Sequence, residues 1–120
     1  MFSNVHQGPQ GISRLNTVPL NPGMILSVDP GVYLEGKLGI RLENLVYVKK
    51  MSGNSRQKRE FLEFETLTLV PFERKLIEKD LLSRDELHWL NSYHDNVYNK
   101  LSPFLNVSER TWLKDACKIL

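Results

Sequence analysis

Apolar residues alternate with polar ones through the first part of the chain and recur at helical spacing through the last part. Met24-Ile25-Leu26-Ser27-Val28 predicts a short strand, closed by Asp29-Pro30-Gly31, a run of turn-favouring residue types. Val32-Tyr33-Leu34 reads as extended and Glu35-Gly36-Lys37 as a tight turn. Residues 38–48 (LGIRLENLVYV) predict the strongest strand, and residues 61–70 (FLEFETLTLV) a second long one, rich in Phe, Leu, Thr and Val. Connections of hairpin length favour an antiparallel sheet. Residues 1–23, with Gly8, Pro9, Gly11, Pro19, Pro22 and Gly23, show no sustained period.

Beyond Pro71 the period becomes helical. Ser83-Arg84-Asp85-Glu86 has the spacing of a capping box, a Ser N-cap with Glu three residues on. Leu87, Leu90, Val97 and Leu101 then fall near one face, with Trp89, Tyr93 and Tyr98 beside it, until Pro103. Residues 111–117 (TWLKDAC) predict a shorter helix, with Ser108 as its candidate start. Strands first and helices afterwards give an α+β class.

Composition narrows the function classes. The chain has 120 residues, 41% hydrophobic and 25% charged, as in an ordinary soluble globular domain. No apolar run approaches the roughly 18 residues of a membrane span, and the N-terminus lacks a secretory pattern. A lone cysteine, Cys117, excludes an internal disulfide framework and a cysteine-based zinc site, and it reads as a packed thiol. The formal net charge of +2 has its source in residues 49–60 (KKMSGNSRQKRE). That run has no stacking aromatic and joins two strand-like segments, so it reads as the solvated tip of a hairpin and not as a nucleic-acid site.

Chemistry gathers in the strands. Alternation puts Arg41 and Glu43 on one face and Ile40 and Leu42 on the other. An Arg and a Glu so placed are either a surface pair or the lining of a polar cleft, where Arg orients a carboxylate. Asp29 shares a face with Ile25 and Ser27 and closes its strand; carboxylates at strand ends suit hard cations. His88 and His94 fall on different helical faces and read as surface or packing histidines. His6, in a Gly- and Pro-rich loop ahead of the sheet, is placed to donate or accept a proton.

Three runs, Asn4-Val5-His6-Gln7-Gly8-Pro9, then residues 20–33 (LNPGMILSVDPGVY), then Gly39-Ile40-Arg41-Leu42-Glu43-Asn44, resemble the C-terminal part of the aminopeptidase P family. The resemblance continues through residues 61–69 and through Trp89-Leu90-Asn91-Ser92-Tyr93-His94, as in the family's cytosolic branch. It implies a partial pita-bread antiparallel sheet over residues 1–71 and a helical C-terminal extension over residues 72–120. Intact relatives are two-metal hydrolases of peptidase family M24, usually manganese enzymes, that remove an N-terminal residue preceding proline. Two Asp, one His and two Glu hold their metals. By this resemblance Glu43 is the ligand that bridges both metals and Asp29 a ligand to one, standing where the family has Glu. His6 handles substrate and protons, with Gln7 after it where Glu is common, and Arg41 orients the ligands from behind.

The remaining two Asp and the His are expected upstream of His6, so two of five ligand positions are present. The expectation is a truncated, cytoplasmic member of the family that is inactive alone and binds Mn2+ weakly or not at all. Its partners would be a peptide with proline second and a homodimer or an intact homologue joined through residues 72–120, with no nucleic acid and no membrane. The alternative is a non-catalytic interaction module built on the fold remnant, using Trp89, Tyr93, Tyr98 and Trp112.

Overall fold

Two adjacent β-ladders share one register. In the computed structural model, which describes residues 8–52 and 60–120, β1 (Ile25–Val28) pairs antiparallel with β4 (Asn44–Lys50), placing Val28 opposite Asn44. β2 (Gly31–Leu34) pairs with β3 (Leu38–Arg41), placing Gly31 opposite Arg41. One step inward from Val28–Asn44 sets Asp29 opposite Glu43, a second sets Pro30 opposite Leu42, and a third arrives at Gly31–Arg41. The ladders are therefore one long hairpin with an interruption. Its tip turns at Gly36, whose φ of +67° lies in the left-handed region, with Lys37 N–H donating to Leu34 O at 3.0 Å.

The interruption corrects the expectation of a single strand over residues 38–48. Pro30 has no N–H to donate, so the ladder cannot continue through it. A bond from Leu42 N–H to Pro30 O, 3.1 Å, crosses the gap. Glu43 consequently sits between strands rather than inside one.

β4 is the middle strand of a three-stranded sheet, in the order β1-β4-β5, with β5 spanning Leu62–Thr66. Alternation along β4 buries Asn44, Val46 and Val48 and turns Leu45, Tyr47 and Lys49 outward. Val46 and Val48 pack with Leu26 of β1, and Leu20 and Met24 close over them. On the opposite face Tyr47 Oη and Lys49 Nζ each donate to Glu65 Oε2 at 2.9 Å. These bonds raise the pKa of both donors. β5 ends short of the expected residues 61–70 because a side chain replaces the ladder: Leu45 N–H donates to Thr68 Oγ1 at 2.8 Å. Met51 N–H donates to Phe61 O at 2.9 Å, so β4 and β5 continue to pair toward the basic run, as a hairpin requires.

The chain divides into two compact units between Thr68 and Leu69. The second holds α1 (Arg84–Leu101) and α2 (Val107–Ala116). The expected capping box is present: Glu86 N–H donates to Ser83 Oγ at 3.3 Å and Ser83 N–H to Glu86 Oε2 at 2.8 Å. α2 starts from Asn106, not Ser108. Asn106 and Glu109 repeat the same reciprocal box, at 3.0 and 2.9 Å, and Asn is as good an N-cap as Ser.

Tyr93, Val97, Leu113 and Cys117 form the core of this unit, with Leu69, Phe72, Leu101 and Leu105 against it. Burial first, then Asp95, pushes the Cys117 thiol up, in keeping with a packed thiol. Tyr93 is buried and stacks on Trp89, with ring centroids 5.6 Å apart. Of the four aromatics expected to meet a partner, Trp89 and Trp112 are exposed, whereas Tyr93 is committed to the core.

Because the left-handed turn fixes the register, Gly36→Ala is expected to destabilise the first unit by about 1 kcal/mol. Urea unfolding followed through amide exchange of β1 and β4 measures it; an unchanged midpoint would show that the turn does not constrain the hairpin.

Candidate functional site

Asp29 and Glu43 face each other because of the hairpin register, and Arg41 lies on the diagonal between them. Its Nη1 is 4.0 Å from Asp29 Oδ2 and its Nε 3.6 Å from Glu43 Oε2. Two like charges directly opposite across a ladder repel. The guanidinium offsets that repulsion from the same face of the hairpin. Asp29 is the sheltered member, with an 18% exposed side chain against 40% for Glu43 and 42% for Arg41.

The carboxylates line a concavity of about 610 Å³, together with Ser27 and Leu45. Its other wall is the loop of residues 8–13 and Asn16. The Asn16 side chain closes that loop from both ends: Nδ2 donates to Pro9 O at 3.1 Å, and Oδ1 accepts from Val18 N–H at 2.8 Å. The cleft thus has a rigid strand floor on one side and a clasped loop on the other.

Sequence reasoning missed Tyr33. Alternation along β2 puts it on the same face as Asp29 and Arg41, and its ring lies across two glycines. A Cβ at Gly31 would come within 2.8 Å of Tyr33 Oη, and one at Gly39 within 2.9 Å of its ring. The phenol is therefore folded back along the hairpin toward the carboxylates while remaining 68% exposed. The legible signal was the pair of glycines flanking an aromatic on one face, Gly31 before it on its own strand and Gly39 across from it.

His6 lies outside the described residues. His88 is exposed on α1, and His94 is buried in the second unit. Among the described residues no group of three or more His, Cys, Asp and Glu could hold a metal ion. Asp29 and Glu43 are oxygen donors of the kind hard cations take. A catalytic metal nonetheless needs about three protein ligands, so this pair alone does not make a metal centre.

Comparison with known proteins bears on the whole chain. Residues 2–50 match metallopeptidase family M24, and residues 60–120 match the C-terminal region of peptidase M24. A probable Xaa-Pro aminopeptidase P of Botryotinia fuckeliana (strain B05.10) is 44% identical over 119 residues, covering 94% of this chain and 18% of the relative. A probable Xaa-Pro aminopeptidase P of Arthroderma gypseum is 45% identical over 119 residues, covering 94% and 19%. Among solved structures, the X-prolyl aminopeptidase of Caenorhabditis elegans, described as a cytosolic enzyme with a di-nuclear active site, matches with a TM-score of 0.83 and 36% identity. That match covers 98% of this chain and 20% of the worm enzyme, and it identifies the pita-bread fold. The chain spans about a fifth of the length of the relatives it matches.

The Tyr33–glycine contact is testable by a double-mutant cycle. Gly39→Ala should be less favourable with Tyr33 present than in a Tyr33→Ala background, by roughly 1 kcal/mol. Additive urea-unfolding free energies would show that the ring does not rest on Gly39.

Proposed function

Because this chain belongs to metallopeptidase family M24, we propose that its first unit forms one wall of the site of a metal-dependent Xaa-Pro aminopeptidase. The observation that carries the reading is the opposition of Asp29 and Glu43, with Arg41 between them, at the edge of a cleft of about 610 Å³. The substrate class is a peptide with proline second, and the reaction is metal-assisted hydrolysis of the bond ahead of that proline.

In this reading Asp29 and Glu43 would hold divalent metal through their carboxylate oxygens. Arg41 is a positioning residue: its guanidinium offsets the repulsion between the two carboxylates that the hairpin register sets face to face. His6 contacts substrate and exchanges protons. Manganese is the proposed metal, and divalent ions in such sites polarise the scissile carbonyl and acidify bound water. The 120 residues supply two of the five ligand positions of the intact relatives, so the isolated polypeptide is proposed to be inactive. The cytoplasm is the proposed location, in line with the worm relative described as cytosolic; no described helix is long and apolar enough to cross a membrane.

A second reading concerns the helical unit. Phe104, Val107 and Trp112 are exposed apolar side chains on or beside α2. They support a contact surface for a second copy or an intact homologue through residues 72–120.

The purified 120-residue polypeptide supplied with Mn2+ is expected to leave an Xaa-Pro peptide uncleaved. Calorimetric titration should show weak Mn2+ binding that disappears in an Asp29→Asn, Glu43→Gln variant. Robust turnover abolished by Glu43→Ala would overturn the proposed inactivity. Binding unchanged in the double variant would overturn the ligand assignment.

A further inference from the structure

The second unit contains a buried histidine that the proposed site does not use. His94 on α1 is fully buried, at 0% exposure, and its ring lies against those of Phe72 and Tyr93, with centroids 6.5 and 5.9 Å away. Phe72 N–H donates to His94 Nε2 at 3.1 Å. One residue before it on the helix, Tyr93 Oη–H donates to Val70 O at 2.7 Å. Two consecutive side chains of α1 thus engage alternate backbone groups of the segment 69–72, one as donor and one as acceptor.

The acceptor fixes the protonation state. Nε2 must carry a lone pair to receive the Phe72 N–H, so the neutral ring bears its proton on Nδ1. That nitrogen is buried and has no hydrogen-bond partner among the described residues. A second proton could enter only at Nε2, where it would face the Phe72 N–H, donor against donor. Among the described residues no carboxylate acts on the ring. Arg74, on the segment that follows Phe72, is a like charge, and Tyr93 on α1 is engaged with Val70. Asp95 on α1 acts on Cys117, which follows α2 and stays a thiol.

We propose that His94 is a proton-operated latch that holds residues 69–72 on α1 when neutral and releases them when protonated. Burial, and next Arg74, push the imidazole below its ordinary range, so the latch is closed at neutral pH and opens in acid. The sign follows from linkage. The unfolded chain takes a proton at His94 below about pH 6.5, and the closed form resists it, so the stability of the latch falls as pH drops from there. The segment released is the one by which the chain enters the second unit, ahead of both capped helices.

Amide exchange and imidazole 15N spectra of the intact chain between pH 7.5 and 4.5 test this. Neutral His94 should show the Nδ1–H tautomer. As it titrates, Phe72 protection, corrected for the intrinsic rate, should fall on the order of tenfold while Val97 stays protected. In His94→Gln, whose amide oxygen accepts at any pH, Phe72 protection should no longer follow pH. The titration of the parent chain decides the matter if that variant fails to fold. An Nε2–H tautomer, constant Phe72 protection through the titration, or simultaneous loss at Phe72 and Val97 would each overturn the latch.

Discussion

The opposition of Asp29 and Glu43 across one hairpin is the constraint from which the site geometry follows. The ion pairs to Arg41 do not create it. Pairs as long as 3.6 and 4.0 Å, with Arg41 exposed in both, contribute roughly 0.2–1 kcal/mol each, comparable to the repulsion of the facing carboxylates. What holds the carboxylates in place is the ladder on both sides of the interruption. Below it, β1 and β4 are fixed by burial of Leu26, Val46 and Val48; above it, β2 and β3 are fixed by the turn at Gly36. A slip of one residue in either ladder would send one carboxylate to the opposite face. Pro30, which lacks an N–H, then interrupts the ladder beside the site, leaving the Leu42 N–H to Pro30 O bond across it.

Much of this was legible in the chain because its signals are local. The turn at Glu35-Gly36-Lys37, the alternation of Arg41 and Glu43, and the Ser83–Glu86 box each depend on residues within a few positions of one another. The Asn106–Glu109 box was equally local, and Ser108 drew attention from it. The features that escaped were pairwise and distant. The break at Leu42-Glu43 is caused by a proline on the other arm, and the early end of β5 by the hydroxyl of Thr68 reaching Leu45. Alternation alone puts Tyr33 on the site face, but the lay of its ring across Gly39 depends on the neighbouring strand, which no single-strand pattern reveals.

The second unit shows the same limit in its core. Helical periodicity identified an amphipathic α1 but could not rank the polar members of its inner face. His94 is fully buried while His88, on the same helix, is exposed. The difference lies in the segment 69–72, which supplies a backbone donor to one imidazole. Burial of an imidazole is tolerable only with such a partner. The residue pair Tyr93-His94 therefore specifies where the incoming chain is tied as much as how the helix packs.

The Asp at position 29 has a physical consequence in this frame. A carboxylate on the shorter side chain stays closer to its own strand, which agrees with its lower exposure and with its longer distance from Arg41. Glu43, with the extra methylene, carries its carboxylate further from its own backbone. The two oxygen donors are thus unequal in reach although they are matched in register. The other wall of their cleft is the Asn16-clasped loop, held by hydrogen bonds from the Asn16 side chain to backbone groups of Pro9 and Val18 and not by charge. Register supplies the pairing of the carboxylates, and side-chain length sets how far each one reaches from its own arm of the hairpin.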